Sequence, residues 1–341
     1  MNQKHFKFID LFAGIGGLRM PFSDQGECVF TSEIDKYARK TYLANYRDDK
    51  FPINQDITKI DPEDVPNHDL LLAGFPCQPF SKAGKRQGFE DTEARGTLFF
   101  NIVDILRSKR PAMFLLENVA TLRTQNKGQI FERLLDELGH KNRTLFDARN
   151  DIDYEVVSVT LNSRQFNVPQ NRRRLFLLGL SRDVYPENIR VQIKSLIKGL
   201  EKYEHVTTKL SDVLMDHPHT GELSDYVISK RLWSSHKRRK KENIKNGKGF
   251  GYSVVTKASA YTRTMSARYY KDGSEILIGI EGAHKNRCPR MLFPREVARL
   301  QGFPDSYIIN KVSRTQIYKQ FGNSVCVPII KEISNIIIPY L

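Results

Sequence analysis

A regular alternation of short apolar runs with amphipathic stretches, beginning at residue 6, is the feature that most constrains the fold. FKFIDLF (6–12) reads as a buried strand ending in a glycine turn, and CVFTSEI (28–34) as a second strand followed by helical spacing from Asp35 to Tyr46. LLLAGF (70–75) is a third. LFFNIVDILRSKR (98–110) has helical spacing and stops at Pro111, AMFLLEN (112–118) is again a strand, and IFERLLDEL (130–138) is a helix stopped by Gly139. YEVVSVTLN (154–162) and RLFLLGL (174–180) close the series as β-rich runs. Strands alternating with helices predict an α/β domain built on a mainly parallel sheet.

The alternation is expected to fail after about residue 185. Residues 186–290 are more polar, hold the single tryptophan, Trp233, and have weak periodicity. Within them, 230–248 carries nine Lys/Arg against one Glu. A helical PREVARLQGFP (294–304) and IYKQFGNSV (317–325) follow, and the apolar VPIIKEISNIIIPYL (327–341) has to pack back on the first domain. The expected organisation is a large α/β domain closed by its own C-terminus, with a smaller basic domain inserted; 341 residues suffice for both.

Charge narrows the partners. Lys and Arg number 54 against 39 Asp and Glu, a net +15 that suits a polyanion, most often nucleic acid. At 40% hydrophobic residues a disordered or fibrous chain is excluded. No apolar stretch approaches the ~18 residues of a membrane span, and MNQKHFKFIDLFAG carries charge where a signal peptide needs an apolar core. The four cysteines, Cys28, Cys77, Cys288 and Cys326, form no CxxC or Cys/His cluster, so neither a metal site nor a disulfide framework is expected, and free thiols point to a reducing cytoplasm.

Four motifs carry chemistry. Asp10-Leu-Phe-Ala-Gly14-Ile-Gly16-Gly17 follows the first strand, where glycines let the backbone approach a ligand and start a helix facing it. Glu33, 19 residues past Gly14, is placed to hold a ribose diol, yet the third glycine of a dinucleotide fingerprint is replaced by Arg19. Gly74-Phe-Pro-Cys77-Gln-Pro-Phe-Ser81 sits at the end of a strand, and Lys82, Lys85, Arg86 and Arg95 after it favour thiolate over thiol; Gly84, Gly88 and Gly96 make the stretch read as a mobile basic lid. A lone cysteine of this kind is otherwise an inert buried hydrophobe. Glu117-Asn118-Val119 ends the next strand, which brings Glu117 towards Cys77 as a proton donor, or leaves it a capping or salt-bridged residue. In Gln170-Asn-Arg172-Arg-Arg174, strand alternation aims Arg172 and Arg174 together into the cleft; a solvated charge run is the plainer alternative.

Taken in this order, with FGNSV (321–325), these motifs resemble the DNA (cytosine-5) methyltransferases of the compact bacterial restriction-modification type, over nearly the whole chain. The resemblance implies a Rossmann-like, S-adenosylmethionine-dependent α/β fold: a mixed sheet with helices on both faces and an inserted target-recognition domain. Residues 1–185, completed by 312–341, would be catalytic, and 186–311 would be the recognition domain and hinge. It implies that Cys77 attacks carbon 6 of cytosine, that Glu117 contacts the exocyclic amine and supplies a proton to ring nitrogen 3, and that Arg172 and Arg174 orient base, Glu117 and lid. For S-adenosyl-L-methionine it implies the turn at Phe12, Gly14, Gly16 and Gly17, with Phe12 flanking adenine, Glu33 on the ribose and Asp56 at the adenine edge. Ile34, Pro76, Leu98, Asn323 and Ser324 complete that pocket. Ser81, Lys82, Lys85, Arg86, Gln170, Arg263 and Thr264 are the implied DNA contacts. The chain departs from the pattern at Ile34, where an aromatic often follows the acid, and at Thr264-Met265, where threonine-leucine is usual.

The partner is then double-stranded DNA, met by a monomer that flips its target base, with any cognate restriction endonuclease acting on the same site without binding the protein. Two other readings stand beside this one. Methylation of tRNA is disfavoured by the long basic insert. An inactive DNA-binding or dinucleotide-binding protein is disfavoured by the intact Cys77, Glu117 and Arg172 and by the misfit at Arg19.

Overall fold

Continuous apolar runs become a six-stranded mixed sheet in the computed structural model, which describes residues 6–47, 49, 52–54, 56–76, 97–139, 152–280 and 288–341. The strands are β1 (Phe6–Leu11), β2 (Gly26–Ser32), β3 (Leu70–Gly74), β4 (Met113–Val119), β5 (Tyr154–Asn162) and β6 (Arg173–Ser181). Their order is β2-β1-β3-β4-β6-β5. The first four are mutually parallel, and β6 runs antiparallel to both β4 and β5.

Both faces are covered, which is why these strands are apolar throughout rather than alternating. On one face Phe8, Leu70, Leu72, Leu115 and Phe176 pack against Ile193 and Ile197 of the helix Glu187–Gly199 and against Ile329, Ile330 and Ile333 of Val327–Ile337. On the other, Ile9, Leu71, Phe114 and Leu177 meet Phe99, Ile102 and Leu106 of Thr97–Lys109 and Phe131 and Leu134 of Gln129–Glu137. The C-terminal segment thus returns to the sheet as its apolar face requires. The helix Glu187–Gly199 is a difference from the expected break near residue 185. It is a further amphipathic layer, disguised in sequence because Val191 and Leu196 on it are 55% and 46% exposed.

A third core gathers Leu210, Val213, Tyr269, Leu292, Val297, Phe303, Tyr318 and Phe321, and it includes Ile15 and Ala38 from the N-terminal region. At its centre the carboxylate of Glu296, in PREVARLQGFP, is fully buried and accepts from both terminal nitrogens of Arg290 at 2.7 Å and from the backbone of Phe293 and Met215. The basic segment forms one exposed helix, Lys230–Lys245. Among the described residues no single helix is long and apolar enough to cross a membrane.

Candidate active site

β1 lies between β2 and β3, so successive connections leave it in opposite directions, and its carboxyl end opens the crevice where such sheets bind ligands. The chain turns there with Phe12, Gly14 and Gly16 at φ +54°, +57° and +78°. A side chain at Gly16 would come within 2.3 Å of the Tyr46 ring, and one at Gly17 within 2.8 Å of Ser324 Oγ. The two ends of the chain therefore meet at this turn, and only glycine fits. The helix expected after it does not form. The turns run into a three-residue 3-10 helix, Met20–Phe22, because left-handed glycines and Pro21 leave no run of right-handed residues long enough to nucleate an α-helix.

Glu33 follows β2 and braces the turn. One carboxylate oxygen accepts from Gly14 N–H at 2.7 Å and the other from Asp35 N–H at 2.7 Å. Burial pushes its carboxyl up, against the pull of those two donors. The next residue, Ile34, is 72% exposed and lines an open cavity with Asn54, Asp56, Lys59 and Ile60. Asp56 accepts from the backbone and hydroxyl of Thr58 at 3.1 and 2.7 Å, and these bonds hold its carboxyl below its ordinary value. Phe12 and Leu98 lie half-buried against the same core, Pro76 is exposed at the end of the β3 exit, and Asn323 is exposed beside Ser324.

Glu117 is drawn to the same edge by register. It pairs across β3–β4 with Gly74, and its Oε2 lies 3.7 Å from where a Gly74 side chain would begin. Arg174, on β6, puts Nε 3.0 Å from Glu117 Oε1. Burial pushes the Glu117 carboxyl up, and Arg174 and then Arg172 pull it down. Asn118, to which the sequence assigns no role, donates to Phe75 C=O at 3.1 Å and so anchors the exit of β3.

Arg172 and Arg174, expected to act together, make different contacts. Arg172 is almost wholly buried and donates to Met265 C=O (2.9 Å), Gly322 C=O (3.1 Å) and Ser324 C=O (2.6 Å), a junction between three distant stretches of chain. Gln170, expected at DNA, is corrected by its burial: it is 0% exposed, donates to Leu300 C=O at 2.6 Å and accepts from Met265 N–H at 2.9 Å. Arg263 is exposed and Thr264 half-buried, donating to Asn171 C=O at 2.5 Å; both line a cavity of about 810 Å³ with Arg239, Arg268 and Lys271.

Cys77, Ser81, Lys82, Lys85, Arg86 and the rest of the expected lid lie outside the described residues. The three described cysteines are buried. Burial pushes the Cys28 and Cys326 thiols up to about 11 and about 12, the wrong direction for a nucleophile.

A doubly covered α/β sheet with a glycine turn at its switch point and a buried acid at the adjoining strand end defines a methyltransferase-type architecture. Similarity to known proteins makes the assignment specific. The family model for C-5 cytosine-specific DNA methylase matches residues 6–338. The chain is 49% identical over 331 residues to the Type II methyltransferase M1.ScrFI of Lactococcus lactis subsp. cremoris, covering 96% of this chain and 77% of that one. It is 46% identical over 343 residues to the Type II methyltransferase M.DsaV of Dactylococcopsis salina, covering 100% and 88%. The crystal structure of S. pombe Dnmt2 methyltransferase superimposes with a TM-score of 0.70 at 20% identity, covering 98% and 99%, a likeness of fold. The chain belongs to the C-5 cytosine-specific DNA methylases: it is a DNA (cytosine-5-)-methyltransferase.

Proposed function

We propose that the protein methylates carbon 5 of a flipped-out cytosine within a short specific sequence of duplex DNA, using S-adenosylmethionine, as the modification half of a restriction-modification pair. The Type II names of its relatives support the biological role, and the +15 charge with the exposed helix Lys230–Lys245 supports a duplex substrate. Residues 1–185 with 312–341 would form the catalytic part, the helix Glu187–Gly199 staying on its sheet, and the remainder of 186–311 the target-recognition part.

The residues at the β1 turn fit the cofactor. Exposed Ile34 offers an apolar surface for adenine, Asp56 lies across the same cavity, and Glu33 stands beside the glycine backbone to take a ribose diol. Asp10 is buried at the end of β1 with both oxygens unpartnered, and a cationic ligand beside it would favour its ionised form. Bound there, S-adenosylmethionine supplies an electrophilic methyl group.

Glu117 carries the chemical part of the reading. Held by Arg174 and with its carboxyl pushed up by burial, it gives ring nitrogen 3 its proton while the Cys77 sulfur adds to carbon 6, and the electron pair released into the ring makes carbon 5 nucleophilic. After carbon 5 gains the methyl, a base removes its proton, the electron pair returns to the 5,6 bond, Cys77 leaves, and ring nitrogen 3 returns its proton to Glu117. Extrusion of the base costs roughly a few kcal/mol, offset by phosphate contacts. No second protein is required, and a cognate endonuclease would act on the same site independently.

A target cytosine carrying fluorine at carbon 5 tests this, since elimination then lacks its proton. With cofactor, a protein–DNA adduct surviving denaturing electrophoresis is expected. Cys77→Ser abolishes it, and Cys28→Ser, Cys288→Ser and Cys326→Ser do not. An adduct that persists without Cys77 overturns the assignment.

A further inference from the structure

Glycine turns have a weakness as ligand sites: a peptide between two glycines can flip at little cost, because neither residue resists either sign of φ. In this chain Gly16–Gly17 is such a peptide, and Ile15–Gly16 before it has glycine on one side. Each carbonyl accepts from a tyrosine hydroxyl, beside the turn's own bonds from Gly16 N–H to Ala13 C=O at 2.8 Å and from Met20 N–H to Gly16 C=O at 3.1 Å. Tyr46 donates to Gly16 C=O at 2.9 Å, and Tyr307, 292 residues further along, donates to Ile15 C=O.

Neither tyrosine moves freely. Tyr46 lies under the guanidinium of Arg19, whose centre is 4.0 Å from its ring, and Arg19 is 5% exposed and closed by Asp49 at 2.7 and 3.1 Å. Tyr307 is 4% exposed and packs edge-on against Phe303 with ring centroids 4.7 Å apart. The next residue, Ile308, exchanges both backbone hydrogen bonds with the Asn45 side chain at 2.8 and 2.9 Å. The segment after PREVARLQGFP is thereby clamped to the helix Lys36–Asn45 and to the turn together.

We propose that Tyr307 and Tyr46 are positioning residues for the cofactor, holding the Ile15 and Gly16 carbonyls and with them the shape of the glycine turn, and that Tyr307 makes the grip on the cofactor depend on the segment closing the recognition region. The proposal rests on the cofactor lying at this turn. Loss of the Tyr307 hydroxyl leaves the buried Ile15 carbonyl without its side-chain donor, and loss of the Tyr46 hydroxyl leaves Gly16 C=O to Met20 N–H alone, so the loosened turn must be re-ordered on binding. The penalty falls on cofactor affinity, and the reacting groups stay as they were.

The test measures S-adenosylhomocysteine binding by calorimetry, and steady-state kinetics, for full-length Tyr307→Phe, Tyr46→Phe and Ile34→Asp. Each tyrosine variant is expected to weaken binding roughly three- to tenfold. KM for the cofactor should rise in proportion, with kcat at saturation and DNA affinity unchanged. Ile34→Asp alters an exposed side chain away from both pins, and it weakens binding if the cofactor lies where proposed. Tyrosine variants with unchanged affinity, beside a weakened Ile34→Asp, overturn the positioning role and leave the site standing. Unchanged affinity in all three overturns the placement of the cofactor and the proposal with it. A lowered melting temperature with unchanged affinity also overturns it, since that is a purely structural role. If Tyr307→Phe fails to fold, Tyr46→Phe decides by the same criteria.

Discussion

The Nε of Arg174 lies 3.0 Å from Oε1 of Glu117, two side chains brought to one face because Arg174 pairs with Val119 across β4–β6, two residues from Glu117. The pair is only 14% and 11% exposed, so the guanidinium opposes an upward push from burial that would otherwise stand alone.

Replacing Arg174 with Gln removes the largest downward influence on the Glu117 carboxyl. Its value should then rise further. If activity requires the protonated acid, the alkaline limb of kcat moves to higher pH, and kcat falls by about tenfold or more through lost orientation. A kcat–pH profile of the variant checks both; a limb that stays in place would detach Glu117 from the titration.

How much of this was legible follows from what kind of signal each feature leaves. Buried strands announce themselves as apolar runs, so YEVVSVTLN is β5 residue for residue, and the nearness of Glu117 to the β3 exit follows from adjacent strand ends. Long-range hydrogen bonds leave no local mark. Gln170, in a charged run, reads as a surface residue, yet its amide is satisfied by Leu300 and Met265, 130 and 95 positions away. Arg19 reads as a defect in a nucleotide fingerprint, whereas its cation is buried over Tyr46 and supports the turn.

Asp10 gives a stability prediction with a definite sign. Burial raises its carboxyl from 3.8 to about 7, with Arg19 opposing and Glu33 and Asp49 adding to the rise. The folded state therefore holds the proton more tightly than the unfolded one, and stability should fall as pH climbs from about 4 to about 7, at roughly 1.4 kcal/mol per unit of displacement. Asp10→Asn carries no such charge, so its melting temperature relative to the parent should rise across that window and level off above it. A difference that is the same at pH 5 and pH 8.5 would show that Asp10 ionises without penalty.

The helix Lys230–Lys245 should act through phosphate. Arg239 is engaged by Asp272 at 3.0 Å and Lys240 lies 4.4 Å from the centre of the Tyr252 ring. Lys237, Arg238, Lys241 and Lys245 are exposed, Arg238 in a longer 3.8 Å pair with Glu242 and Lys237 5.5 Å from the Trp233 ring, so the informative changes are at these four. Neutralising these four should weaken binding to target and non-target duplexes alike. The slope of log K against log salt should drop by about 0.9 for each phosphate that the helix no longer neutralises. A slope that does not change would make this a solvated face.

Arg172 separates two ways in which a buried arginine can serve a methyltransferase. Its side chain donates to the carbonyls of Met265, Gly322 and Ser324, which ties the strand carrying Arg174 to the stretch around Met265 on one side and to the glycine turn's neighbour on the other. A lysine keeps the charge but presents one compact ammonium on a flexible stem, and it cannot span carbonyls that a planar fork reaches simultaneously. If the junction is the role, Arg172→Lys should cost about 3–5 kcal/mol of stability. Proteolysis should then become faster near both residues 262–266 and 322–325. The alkaline limb of kcat should stay near the parent's, since Arg174 remains on Glu117. Were Arg172 instead to hold the target base, the melting temperature and proteolytic pattern would be preserved while kcat collapsed. The two outcomes differ in every readout, so one variant assigns the residue.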